Sequence, residues 1–156
     1  MELRDLYQEV ILDHNKHPRN FNKAIPANLK AEGFNPLCGD HITVLLQIKN
    51  NKICDISFEG SGCAISKASS SMMTEALIGK SKEEALKLFE SFHAMLMSNS
   101  AETLPENLGK LAVFSGVWEF PARVKCASLA WHAVKSALEG KGECVTTEEA
   151  DMREGA

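Results

Sequence analysis

The feature that most constrains the fold is a change of hydrophobic period near the middle of the chain. Ile42, Val44, Leu46 and Ile48 alternate with His41, Thr43 and Gln47, the period of a strand with one buried face. Asn50-Asn51 supplies a turn. Lys52 to Glu59 then return with Cys54, Ile56 and Phe58 on one face and Asp55, Ser57 and Glu59 on the other, which predicts an antiparallel hairpin with Cys54 packed in the core. A two-stranded hairpin is at best marginally stable alone, so its apolar face needs a cover.

The flanking segments have the period of helices. Leu3, Tyr7, Val10 and Ile11 mark an amphipathic helix over roughly residues 2–15, ended by His17-Pro18. Leu29 to Phe34 reads as a short strand, and Asn35 to Asp40 as an exposed loop. Gly60-Ser61-Gly62 ends the hairpin. Cys63 opens a second helix, with Ala68, Met72, Ala76 and Leu77 on one face, that stops at Gly79. Ser81 with Glu84 forms a capping box before a third helix, striped by Ala85, Leu88, Phe89, Phe92 and Leu96. Asn99 to Glu119 is irregular, with a short helix around Leu111 to Phe114. Pro121 starts a long final helix closed by Gly140, with Cys126 in its first turns. The predicted class is α+β: a three-stranded antiparallel sheet with helices packed on it, an N-terminal helix and a long C-terminal helix. Residues 1–140 form one domain, and 141–156, where acidic residues outnumber basic ones, a solvated acidic tail.

Composition narrows the function classes. Of 156 residues, 44% are hydrophobic and only 15 are Gly or Pro (10 and 5), which excludes disordered and low-complexity classes. No apolar run reaches membrane-spanning length, and Met1 to Asp5 lacks the character of a secretion signal, so a cytoplasmic location is expected. The net charge of −4 and the lack of a Lys/Arg block argue against nucleic acid or an anionic membrane as partner.

Five cysteines, Cys38, Cys54, Cys63, Cys126 and Cys144, favour reduced, metal-binding or reactive thiols over a disulfide framework. Cys63 and Cys126 near helix starts, and Cys38 in a loop, are places that favour a thiolate. Asp40 follows Cys38 across Gly39 and can turn a carboxylate to the same centre, making a set of three sulfurs and one oxygen that suits tetrahedral zinc. The spacing matches neither a zinc finger nor a ferredoxin, so buried free cysteine remains the competing reading. Cys144 reads as incidental, and the histidines, His14, His17, His93 and His132 among them, as surface or satisfied residues, with His93 facing water. Gly60-Ser61-Gly62 lacks the rest of a phosphate-binding loop.

Tyr7 to Phe21, Asn35-Pro36-Leu37-Cys38-Gly39-Asp40, Gly60 to Ser66 and Arg123-Val124-Lys125-Cys126 resemble the IscU/NifU N-terminal scaffold family, specifically its SufU branch, over residues 2–140. The resemblance implies iron–sulfur cluster assembly with a cysteine desulfurase, SufS-like, as partner, alongside other SUF proteins. It implies Cys38, Asp40, Cys63 and Cys126 as ligands of zinc or of a transient [2Fe–2S] cluster. Lys125 stands where IscU has histidine, the segment between Cys63 and Cys126 is longer, and no Leu-Pro-Pro-Val-Lys segment precedes Cys126. These departures imply a zinc-dependent persulfide acceptor, a sulfurtransferase-type relay and not a stand-alone enzyme. Cys38 in its Gly-flanked loop is the expected sulfur acceptor, and Arg123, one turn before Cys126, is expected to offset the negative site or meet the partner. The alternatives are a [2Fe–2S] scaffold and a structural zinc module.

Overall fold

A computed structural model of the chain describes residues 3–36, 39–97, 106–115, 117, 120–140 and 144–146. The elements run α1 (Leu3–Lys16), β1 (Leu29–Asn35), β2 (Asp40–Lys49), β3 (Lys52–Ser61), α2 (Ala64–Leu77), α3 (Lys82–Met97), a 3-10 segment (Glu106–Phe114), α4 (Pro121–Leu138) and β4 (Cys144–Thr146). The antiparallel sheet of β1, β2 and β3 with covering helices is the expected α+β arrangement. One strand is added: β4 lies parallel to the other edge of β1, with Glu32 opposite Cys144 and Phe34 opposite Thr146, giving the order β3-β2-β1-β4. Three residues of the expected solvated tail, Cys144 included, therefore belong to the sheet. Their pairing with β1 could not be read locally, because three residues carry almost no periodicity.

The β2–β3 hairpin turns through Asn50 and Asn51, both with positive φ (51° and 65°), the backbone twist that two-residue hairpins favour. Its register is interrupted between Gln47 and Ile48: Gln47 faces Asp55 while Ile48 faces Ile53. Cys54 is the extra residue of this bulge. The bulge reverses the side-chain alternation, so Ile53 is buried and Cys54 exposed, contrary to the core position expected from simple alternation. At the far end β3 runs on through Gly60 and Ser61, pairing Ser61 with His41. Gly60 has φ +123°, and a Cβ there would lie 2.0 Å from the His41 carbonyl oxygen. Only glycine lets the two strands close at this point.

The outer edge of β3 is already bonded. Phe58 donates its N–H to Asn20 O and accepts from Asn22 N–H, while Ile53 donates to Lys80 O and accepts from Gly79 N–H, at 2.7–3.0 Å.

The other elements follow the expected punctuation. Ser81 and Glu84 exchange reciprocal capping bonds of 3.0 and 3.1 Å. Pro121 occupies the first turn of α4. Between the helices, Trp131 stacks on Phe92 with centroids 4.4 Å apart, and Phe92 meets Phe114 edge-on. The Trp131 indole N–H donates to Ser69 Oγ, satisfying the polar end of an otherwise apolar ring. α1 is tied to α2 by His14 Nδ1, 2.7 Å from Ser71 Oγ. His93, expected to face water, is half-buried between Phe89 and His132. Among the described residues no helix is long and apolar enough to cross a membrane.

Candidate metal centre

Three chain segments converge at the end of the sheet opposite the hairpin turn. Asp40 is the first residue of β2 and is 1% exposed. Cys63 lies two residues past the end of β3. Because His41 pairs with Ser61, the antiparallel register brings Asp40 next to Cys63. Cys126 arrives from α4, which packs across β1, β2 and α2. One carboxylate oxygen of Asp40, Cys63 Sγ and Cys126 Sγ all lie within 4.8 Å of one another.

Each group is held by its surroundings. Cys63 is the N-cap of α2, with extended backbone (φ −69°, ψ 170°), and its sulfur accepts the Ser66 backbone N–H at 3.4 Å. Its own N–H donates to Asp40 Oδ1 at 2.9 Å, while Asp40 Oδ2 lies 3.9 Å from Cys63 Sγ. The carboxylate thus has one oxygen fixed by the backbone and the other facing the sulfurs. The Cys63 thiol is pulled down to about 6 from 9.0. The main cause is a hydrogen bond from the Cys126 side chain, with help from the Ser66 and Ile65 backbone, against burial and the negative charge of Asp40.

Cys126 is reached differently from the expectation. It sits in the second turn of α4, beyond the four free N–H groups of the helix start, and is 3% exposed. Its sulfur accepts from Asn35 Nδ2 at 3.5 Å, and Asn35, the last residue of β1, is 0% exposed. Asn35 also pairs with Asp40 across the β1–β2 turn, which closes through Gly39 N–H to Asn35 O at 2.8 Å. Sequence reasoning passed over Asn35 as a loop residue. Its signal was chemical: an amide one strand-pair away from an acidic ligand candidate.

Of the remaining sequence candidates, Cys38 lies outside the described residues, in the chain between Leu37 and Gly39. Arg123 is exposed, with its guanidinium 4.8 Å from the centre of the Phe120 ring. It is thus engaged at the surface by a cation–π contact and is not a member of the buried cluster. Cys54 is remote on the bulge.

The donor set fits a borderline-soft cation: two sulfurs, one already disposed to ionise near neutral pH, and a carboxylate. A second sign of fit is Ser66. Its hydroxyl is fully buried beside this cluster and meets no hydrogen-bond partner among the described residues, an arrangement that folded proteins rarely leave uncompensated.

Comparison with known proteins identifies the family. The sequence model of the NifU-like N terminal domain matches residues 6–139. The chain is 40% identical to the iron–sulfur cluster assembly scaffold protein IscU of Streptococcus pyogenes serotype M1, over 99% of this chain and 96% of that protein. It is also 40% identical to the zinc-dependent sulfurtransferase SufU of Bacillus subtilis (strain 168), over 87% of this chain and 91% of that one. A crystal structure described as a candidate SUF-system scaffold, from Fervidobacterium islandicum AW-1, superposes with a TM-score of 0.78 at 38% identity, covering 86% of this chain and 98% of that one. With a family match running from α1 to the end of α4 and relatives of this identity over nearly their whole length, the chain belongs to the NifU-like N-terminal domain family.

Proposed function

We propose that this protein works in iron–sulfur cluster assembly as a zinc-dependent acceptor and carrier of persulfide sulfur, with a cysteine desulfurase as its partner. The observation that carries this reading is the meeting of buried Asp40 and Cys126 with half-buried Cys63 within 4.8 Å, with Cys38 two residues before Asp40 in the chain. The B. subtilis relative's name, a zinc-dependent sulfurtransferase, supports it.

Asp40, Cys63, Cys126 and Cys38 would hold the zinc. When bound, the ion supplies positive charge that keeps its sulfur ligands as thiolates. Asn35 and the Ser66 backbone N–H hold the Cys126 and Cys63 sulfurs in place, and the Cys63 N–H orients Asp40. Cys38, next to Gly39 with its φ of +74°, is the nucleophile. Its thiolate attacks the terminal sulfur of the desulfurase's cysteine persulfide. A sulfur–sulfur bond forms to Cys38, the old one breaks, and its electron pair leaves on the desulfurase cysteine as a thiolate. The transfer balances without an outside oxidant. Arg123, at the surface near the start of α4, would contribute by meeting the partner.

The test combines zinc analysis of the purified chain with a desulfurase assay and mass spectrometry. Zinc-loaded protein is expected to accelerate desulfurase turnover and to gain about 32 Da, one sulfur atom, on the peptide carrying Cys38. The second reading, a [2Fe–2S] scaffold with the cluster as cargo, is favoured by the name of the S. pyogenes relative. A stable cluster transferred to an acceptor apoprotein, with no zinc-dependent stimulation of the desulfurase, would establish that reading instead.

A further inference from the structure

Ser66 occupies the third position of α2, one turn past Cys63. Its backbone N–H serves the Cys63 sulfur and its carbonyl accepts from Ser70 Oγ at 2.8 Å. The hydroxyl has no partner among the described residues, although it is enclosed. Gly62 shows where that hydroxyl sits. A Cβ built on Gly62 would lie 3.0 Å from Ser66 Oγ and 3.2 Å from Asp40 Oδ1, so the hydroxyl and the backbone-held carboxylate oxygen border one small space that only glycine leaves open. A buried hydroxyl without an acceptor is costly, and a carboxylate oxygen is the strongest acceptor bordering that space.

Resting on the zinc reading above, we propose that Ser66 is a positioning residue of the metal centre: its hydroxyl, unpartnered among the described residues, would turn to donate to Asp40 Oδ1 when the metal is bound, joining the Cys63 N–H there and keeping Oδ2 turned to the Cys63 sulfur. The carboxylate would then offer Oδ2 to the metal, with Oδ1 restrained by the Cys63 N–H and the Ser66 hydroxyl. Residues that bond to a ligating carboxylate typically change metal affinity 10–100-fold. Ser66 does this without touching the metal, so its effect must pass through Asp40.

The experiment is a double-mutant cycle read by zinc affinity, measured by chelator competition on the full chain. The variants are Ser66→Ala, Asp40→Ala and the two combined, each also melted in the metal-free state. Ser66→Ala is expected to weaken zinc binding 10–100-fold in the otherwise native chain and less than twofold when Asp40 is already alanine. It should leave the metal-free melting temperature equal or higher, because alanine removes a buried hydroxyl that has no partner and is the better helix former. Cobalt in place of zinc gives an independent readout. The ligand-field bands of Ser66→Ala should shift while the thiolate charge-transfer intensity stays the same. Unchanged zinc affinity in Ser66→Ala would overturn the proposal. So would an equal loss in both backgrounds, which would assign the hydroxyl to a sulfur, or a lowered metal-free melting temperature, which would make Ser66 merely structural. A native chain that binds no zinc would overturn the zinc reading together with this one, whereas zinc binding that Ser66→Ala leaves intact removes only the role of Ser66.

Discussion

Asn35 Nδ2 lies 3.5 Å from Cys126 Sγ, joining the last residue of β1 to the second turn of α4 inside the core. Asn35 is also the register partner of Asp40, so one strand end supports two of the three clustered donors. Replacing Asn35 by alanine leaves the sulfur without this donor. A hydrogen bond to a charged group contributes roughly 1.5–3 kcal/mol, so Asn35→Ala should weaken metal binding by about 10–100-fold in chelator competition. Equal affinity would show that the amide serves the fold alone.

Cys54 and Cys63 should part company sharply. Cys63→Ser is expected to abolish stoichiometric zinc, read by elemental analysis. Cys54→Ala should retain it and change stability by less than about 0.5 kcal/mol, because the bulge leaves that side chain exposed. The native protein should also be alkylated at Cys54 without unfolding. Slow alkylation at denaturation-limited rates would return Cys54 to the core.

His132 makes acid stability steep. Burial, reinforced by the charges of His93 and Lys135, pushes its pKa from 6.5 down to about 3. The unfolded chain therefore binds this proton at a higher pH than the folded one. The stabilising effect of a neutral His132 is complete above pH 6.5 and is lost as the pH falls towards 3, by about 2 kcal/mol between pH 7 and 5. His132→Gln should flatten the dependence of urea midpoint on pH over that interval. An unchanged slope would mean that other groups dominate acid unfolding.

Ser81→Ala removes one arm of the reciprocal cap on α3. A loss of about 1 kcal/mol in denaturant titration is expected, with zinc affinity unaffected because the cap is remote from Asp40. A change in metal binding would reveal coupling between α3 and the site.

What could be read from the residues was whatever local chemistry determines. The Asn50-Asn51 turn, the Ser81–Glu84 box, Pro121 and the alternation in β2 each fix a backbone conformation within a few residues. Asp40 and Cys63 were named together as candidate ligands, but the loop reading of Asp40 did not foresee that β2 begins there and buries it. The failures are non-local. The reversed face of Cys54 depends on a bulge opposite Gln47 and Ile48, and the strand at Cys144 exists only because β1 offers an edge. The support of Cys126 by Asn35 needs α4 to cross the sheet, which no spacing between residues 35 and 126 encodes.

The bonded outer edge of β3 bears on how copies of this protein behave at high concentration. Backbone groups of Ile53 and Phe58 that would template an incoming strand already serve Gly79, Lys80, Asn20 and Asn22. Fibril-like growth by strand addition at those positions would first require displacing these segments. The flank of the hairpin is thus closed to strand addition at these two positions, and crowding should concentrate the protein without seeding aggregation there.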